Sequence, residues 1–185
     1  MKHIALLLSL IATPVLAAPV EYQFENETSR VQYRVDFGTS EIFGVMPVQS
    51  ARVSLDFDRA SNSSVDVTLN AARATASFPF AAEALKGPNV LNTAQHPAIT
   101  FVSNAFRADG NRAEVDGTIT IKGVSRPMTL RGGLFREQGQ QAGDRSQLLV
   151  RLNGSVQRSA FGADGFADAV GDRVDIEIIA RIRRP

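Results

Sequence analysis

Apolar and polar residues alternate along several stretches of the chain. In the last of these stretches the apolar residues occupy every second position, at Val174, Ile176, Ile178, Ala180 and Ile182. Similar alternation occurs within residues 31–37, 52–58, 65–71 and 115–122. A period of two is typical of a β-strand with one dry and one wet face. The pattern therefore predicts half-buried strands of an antiparallel sheet.

Clusters of turn-forming residues separate these strands, at 58–64, 107–112, 121–127 and 137–145. Repeated short strands with one dry face favour a sandwich or an up-and-down barrel. Gly123 and Pro127 are predicted to form a tight hairpin, and the polar segment 137–144 is predicted to be a long hairpin tip. The paired carboxylates of Asp56 and Asp58 are expected on the wet face of a strand.

One segment departs from the strand pattern. Residues 79–86 contain good helix formers with Pro79 at the start, and Gly87-Pro88 follows as a stop signal. A second turn is expected up to residue 92. This short helical insertion near residues 79–92 is predicted to close one end of the sheet, either as a plug of the core or as a lid that contacts a ligand.

The first 17 residues have the three parts of a secretory signal peptide. Lys2 and His3 give a positive start, residues 4–11 form a short apolar run, and Ala17 ends a small-residue cleavage site. We expect cleavage after Ala17 or Ala18 and one domain over residues 18–185. The apolar run is too short to span a bilayer, so the mature protein is expected to be exported and not to span a membrane.

Composition argues against several classes of chemistry. Cysteine is absent, and outside the leader the only histidine is His96, although most catalysis and most zinc sites at neutral pH depend on these residues. Without Lys2 the formal net charge falls from +1 to zero, and no basic patch suited to nucleic acid is apparent. Nucleotide-binding loops and the G-x-S-x-G motif are missing. We therefore expect no catalytic residues, no metal, no cofactor and no nucleic-acid partner.

The dry side of the sheet remains as the candidate site. A barrel of eight strands is just wide enough to fill with side chains or to hold one small ligand, and the absence of tryptophan leaves fewer bulky side chains to fill it. Packing of the core is the competing role for every inward residue. The candidate pocket residues are apolar side chains expected inside the barrel or at its rim: Tyr33, Val35, Phe37, Phe43, Phe80, Leu85, Leu91, Phe101, Phe161 and Phe166.

Three blocks of sequence resemble those of the YceI-like family. They are Pro97-Ala-Ile-Thr-Phe101, then Gly117-Thr-Ile-Thr-Ile-Lys-Gly-Val-Ser-Arg-Pro127, and last Arg158-Ser-Ala-Phe-Gly162 followed by Val170-Gly-Asp172. They occur in the family's order, and with the first strand pair they span nearly all of residues 20–183. Where family members often carry a histidine in the first long strand, this chain has Asp36.

The resemblance implies an all-β, antiparallel, lipocalin-like up-and-down barrel of about eight strands in the bacterial periplasm. It further implies a polyisoprenoid or other long-chain lipid inside the barrel, frequent homodimers and no enzymatic activity. Two alternatives compete with this lipid carrier. One is an exported, stress-related protein-interaction module with a solid core, and the other is an enzyme acting on a lipid through His96 or surface acids.

Overall fold

The computed structural model describes residues 18–185, so the predicted signal peptide, residues 1–17, lies outside the described residues. Within the described residues the fold has ten antiparallel strands, one α-helix and three short 3-10 helices. In chain order the strands are β1 (Val20–Phe24), β2 (Arg30–Phe37), β3 (Ser40–Met46), β4 (Val48–Leu55), β5 (Ser64–Asn70), β6 (Ala98–Asp109), β7 (Arg112–Ile121), β8 (Val124–Arg136), β9 (Gln147–Gln157) and β10 (Val170–Arg183). Helix α1 (Pro79–Lys86) lies between β5 and β6.

Eight of the strands form a closed ring. The sheet runs from β1 through β4 and onward in sequence order to β10, and β1 also pairs with β10. The hairpin of β2 and β3 extends this ring, because β2 pairs with β10 over Val174–Ile179 while β1 pairs with it only near Ile182. The predicted antiparallel barrel of about eight strands is therefore confirmed.

The alternation seen in the sequence determines which side chains face inward. One core cluster contains Tyr33, Phe101, Val115 and many other inward residues of the upper barrel, the half nearer α1. A second cluster contains Tyr22, Leu55 and Ile182 at the opposite end. Phe106 packs against both clusters. The inside of the barrel is thus apolar from one end to the other.

The helical insertion has the predicted extent. Helix α1 begins at Pro79 and ends at Lys86, and residues 87–92 form turns in which the Leu91 N–H donates to the Leu85 carbonyl at 3.0 Å. Proline suits the first turn of a helix because no intrahelical partner exists there for its missing N–H. Ala81 is buried in the upper core cluster, so α1 does close one end of the barrel.

Two local predictions were wrong. The tight hairpin consists of Lys122 and Gly123, both with positive φ, whereas Pro127 lies inside β8 opposite Thr118. The β8–β9 ladder begins only at Arg131, so Pro127 lies where β8 has one partner and a missing N–H is tolerated. Asp56 is buried rather than solvent-facing, because it caps the turn that follows β4.

Candidate ligand-binding cavity

A cavity of about 430 Å³ runs along the inside of the barrel. Its lining extends from Leu85 of helix α1 to Phe24 and Ile182 at the other end. Among the residues that the structure describes, the polar side chains in this lining are Gln32, Tyr33 and Arg158. The volume lies within the range of about 300–1,000 Å³ typical of small-molecule sites. The interior can therefore hold an apolar ligand and offers few partners to a polar one.

Most of the predicted pocket residues line this cavity. Those that do are Tyr33, Val35, Phe37, Phe80, Leu85, Leu91, Phe101, Phe161 and Phe166. Phe43 does not, since its side chain is 57% exposed on the outer face of β3 while the adjacent Ile42 is buried inside. Successive side chains of a strand point to opposite faces, so only one of these two neighbours can reach the interior.

Two phenylalanines mark the mouth of the cavity. Phe80 on α1 is 64% exposed and Phe166 in the segment before β10 is 57% exposed, yet both contribute to the lining. Phe78 stacks on Phe80 with ring centroids 5.6 Å apart. Side chains that touch both solvent and cavity can only lie at an opening, so the entrance lies between α1 and the loop that carries Phe166.

Glycines at inward positions make room for aromatic side chains. A Cβ atom at Gly117 on β7 would overlap the Phe101 ring, and one at Gly44 on β3 would overlap the Thr75 carbonyl and lie 2.7 Å from the Tyr33 hydroxyl. Real Cβ contacts are never this short, so a larger residue would displace the ring or the strand. The shape of the cavity wall therefore depends on these two glycines as much as on the aromatic residues.

Tyr33 lines the cavity with its ring, and its hydroxyl is bonded within the protein. Its hydroxyl donates a hydrogen bond of 2.8 Å to the Thr75 carbonyl. Burial raises the pKa of Tyr33 to about 12, because an apolar surrounding disfavours the charged phenolate. Tyr33 is therefore neutral at physiological pH, and its hydroxyl proton stays bonded to the Thr75 carbonyl.

Arg158 is a lining residue that the sequence analysis did not select. It is only 8% exposed, and its guanidinium donates to the carbonyls of Gly171, Ala163, Gly165 and Val170 at 2.7–2.8 Å. It thereby holds the loop that carries Phe166 against the barrel. The R-x-x-F-G block contained the signal, but sequence alone does not show that an arginine is buried.

Many aliphatic lining residues were also missed as pocket candidates, among them Val115, Ile119, Met128, Val174 and Ile176. The alternation had placed most of these side chains on the dry face. The selection of candidates favoured aromatic residues, whereas the cavity wall is built mainly from β-branched and other aliphatic ones. Residue spacing was the better guide to the site than residue size.

Two polar residues singled out in the sequence, His96 and Asp36, lie away from the cavity lining. His96 sits beside the β7–β8 hairpin, where its ring would be 3.1 Å from a Cβ atom at Gly123. Asp36 is exposed on the outer face of β2. Within residues 18–185 no group of three or more histidine, aspartate or glutamate side chains could hold a metal ion. The same residues contain no helix long and apolar enough to cross a membrane.

A closed antiparallel barrel around an apolar cavity with a mouth at one end is the architecture of the small-ligand-binding barrels. The model of the YceI-like domain matches residues 22–182. The chain therefore belongs to the YceI-like family, as the sequence blocks indicated.

Relatives and solved structures agree with this assignment. Protein YceI of Escherichia coli O157:H7 is 25% identical over 147 residues, which cover 76% of this chain and 77% of that protein. Burkholderia cenocepacia BcnA has the same fold, with a TM-score of 0.76 at 22% identity, covering 86% of this chain and 99% of that one. A polyisoprenoid binding domain from Saccharophagus degradans, implicated in plant cell wall breakdown, gives a TM-score of 0.63 at 9% identity. The match covers 90% of this chain and 99% of that domain.

Proposed function

We propose that this protein is an exported carrier that holds a polyisoprenoid or similar long-chain lipid inside its barrel and performs no catalysis. The single observation that carries the proposal is the apolar cavity of about 430 Å³, open at the mouth beside α1. The structural likeness to a polyisoprenoid binding domain supports the same ligand class. A barrel with a solid core, the alternative considered above, would leave no such cavity.

The elongated form of the cavity favours a chain over a compact ligand. On β10 alone the lining residues extend from Val174 to Ile182, a distance along the strand of roughly 26 Å at ~3.3 Å per residue. Burying ten methylene groups contributes roughly 8 kcal/mol, which is comparable to the ~4–15 kcal/mol cost of association. Short chains should therefore bind weakly, and long chains tightly.

The position of the polar groups favours a ligand with its head at the mouth. The cavity wall below the mouth offers hardly any hydrogen-bond partner, and a buried polar group without one is costly. At the mouth, water can reach the space between Phe80 and Phe166. A lipid would therefore enter tail first and keep its polar head near these rings.

The absence of catalysis is part of the proposal. His96 and the surface carboxylates considered for an enzyme lie outside the cavity lining, so they would not meet a lipid bound inside. Export is also part of it, and rests on the signal-peptide pattern of residues 1–17. Homodimer formation, which the family resemblance implies, stays a prediction.

Native mass spectrometry tests the proposal. The full chain would be expressed with export, purified without detergent and measured before and after addition of an isoprenoid quinone or a long prenol. We expect an adduct of lipid mass on a polypeptide that has lost residues 1–17, and the same spectra report any dimer. An empty protein that also ignores the added lipids would refute the carrier function.

A matched pair of variants locates the binding site. Ala84 lines the cavity, whereas Ala82 on the same helix does not. Ala84→Phe should fill the upper cavity and reduce lipid capture by at least about tenfold, because the new ring would occupy the space of several methylene groups of the lipid. Ala82→Phe should bind as the wild type does. Equal capture by both variants would show that the lipid binds elsewhere.

A further inference from the structure

The end of the barrel opposite α1 is closed by a floor, which we define as Tyr22, Leu148 and Phe57. Tyr22 and Leu148 are each only 4% exposed and belong to the lower core cluster, yet neither contributes to the cavity lining. Phe57 packs edge-on against Tyr22, with ring centroids 6.3 Å apart. The cavity therefore ends just above these side chains.

Bonds from the β8–β9 loop and the C-terminal end hold the floor in place. The Tyr22 hydroxyl donates to the Arg145 carbonyl at 2.8 Å and accepts from Nε of Arg184 at 3.2 Å. The Arg145 guanidinium lies 4.1 Å from the centre of the Phe57 ring, and the Arg184 N–H donates to the Ser146 carbonyl at 2.8 Å. A lipid tail that reaches the floor has no exit there.

Small side chains create the space directly above the floor. Ala180 is the one alanine among the inward residues of β10, between Ile178 and Ile182, and Ala113 is an inward alanine near the start of β7. Both are buried and both line the cavity. Leucine at either position would occupy the space in which a tail could lie.

We propose that the floor and the alanines above it select the ligand by chain length. Ala180 and Ala113 admit the last part of the tail, and Tyr22 and Leu148 set its maximum length. This inference rests on the proposed function, because it requires a chain-like ligand with its head at the mouth. Beyond that function, the inference names the residues that determine which chain length fits.

The proposal predicts a characteristic dependence of affinity on chain length. Each methylene group that fits inside should raise affinity about fourfold. Once the tail reaches the floor, a further isoprene unit must remain outside the mouth in water and adds nothing. A plot of affinity against chain length should therefore rise and then level off, and the length at which it levels off measures the depth of the cavity.

Competition among a graded series of all-trans prenols, which differ by one isoprene unit, tests the proposal by native mass spectrometry. For Ala180→Leu the chain length at which affinity levels off should be at least one unit shorter than for the wild type. For Leu148→Ala and for Tyr22→Leu it should be longer, because each change opens space below the present floor. Ala105→Leu is the matched control, since Ala105 pairs with Asp116 on the outer face of the sheet and does not contribute to the lining.

The outcomes separate this inference from the function on which it rests. A wild-type protein that captures no prenol would refute the proposed function itself. A wild type that captures prenols, with folded variants whose affinities all level off at the wild-type chain length, would refute only the selection by the floor. Thermal unfolding identifies folded variants, and if both floor variants fail to fold, the result for Ala180→Leu decides alone.

Discussion

Arg158 illustrates how a single buried side chain positions part of the site. A guanidinium has five N–H donors in a planar fork, and here it donates to four backbone carbonyls between Ala163 and Gly171. Those carbonyls belong to the loop that carries Phe166 and to the start of β10. The arginine therefore takes the place of the ladder bonds that an irregular segment cannot form.

Replacement of Arg158 should be strongly destabilising. Arg158→Leu leaves four carbonyls without their donor, and each buried unsatisfied group costs ~1–3 kcal/mol, so we expect a loss of at least about 3 kcal/mol in the free energy of unfolding. Arg158→Lys should recover little of this, because an ammonium group cannot reproduce the fork. Urea unfolding measures the free energy of unfolding of both variants. Arg173→Leu, at an exposed position, is the control, and an equal effect there would contradict this role.

At the scale of one element, the connection between β4 and β5 depends on Asp56. Its carboxylate accepts hydrogen bonds from the Asn62 side chain and from the N–H groups of Arg59 and Asp58, all at 2.8–2.9 Å. These bonds, led by the one from Asn62, lower the pKa of Asp56 below its usual value of 3.8. The turn is therefore most stable when Asp56 is charged.

This pKa shift predicts how stability depends on pH. The unfolded chain binds a proton at Asp56 more readily than the folded protein does, so the contribution is fully present above the unfolded pKa of 3.8 and is lost as pH falls through the lowered folded pKa. Asp56→Asn should be less stable than the wild type at pH 7, and the difference should shrink below about pH 4. Urea unfolding of both proteins at several pH values measures this difference in stability. Asp58→Asn leaves the three bonds in place, and the same pH dependence there would contradict the assignment.

At the scale of the whole molecule, the barrel is sealed at its floor and open at its mouth. A ligand that binds only the folded barrel stabilises it by mass action, by ~2.7 kcal/mol at a free concentration of about 100 Kd. For a domain of this size we expect the Tm to rise by roughly 5–10 °C with a saturating long prenol. Thermal unfolding of the wild type and of Ala84→Phe tests this, and an equal rise in both would place the ligand outside the cavity.

The strands and most of the pocket could be predicted from the sequence. The period of two in β10 and β7 depends only on local geometry, so it identified the inward side chains before the barrel was known. Phe43 shows the limit of choosing candidates by residue type, since an aromatic side chain next to a buried isoleucine must face the other way. Arg158 shows a second limit, because its burial depends on carbonyls that the fold brings to it.

The sequence by itself determined the all-β class, the dry and wet faces of the strands and the short helix, because these follow from local backbone preferences and from hydrophobic periodicity. Only the tertiary structure decided that the ring closes through β1, that the interior is hollow and that one end is sealed. Whether inward side chains meet or leave a gap depends on distances across the barrel. Those distances are set by strand pairing between residues far apart in the chain.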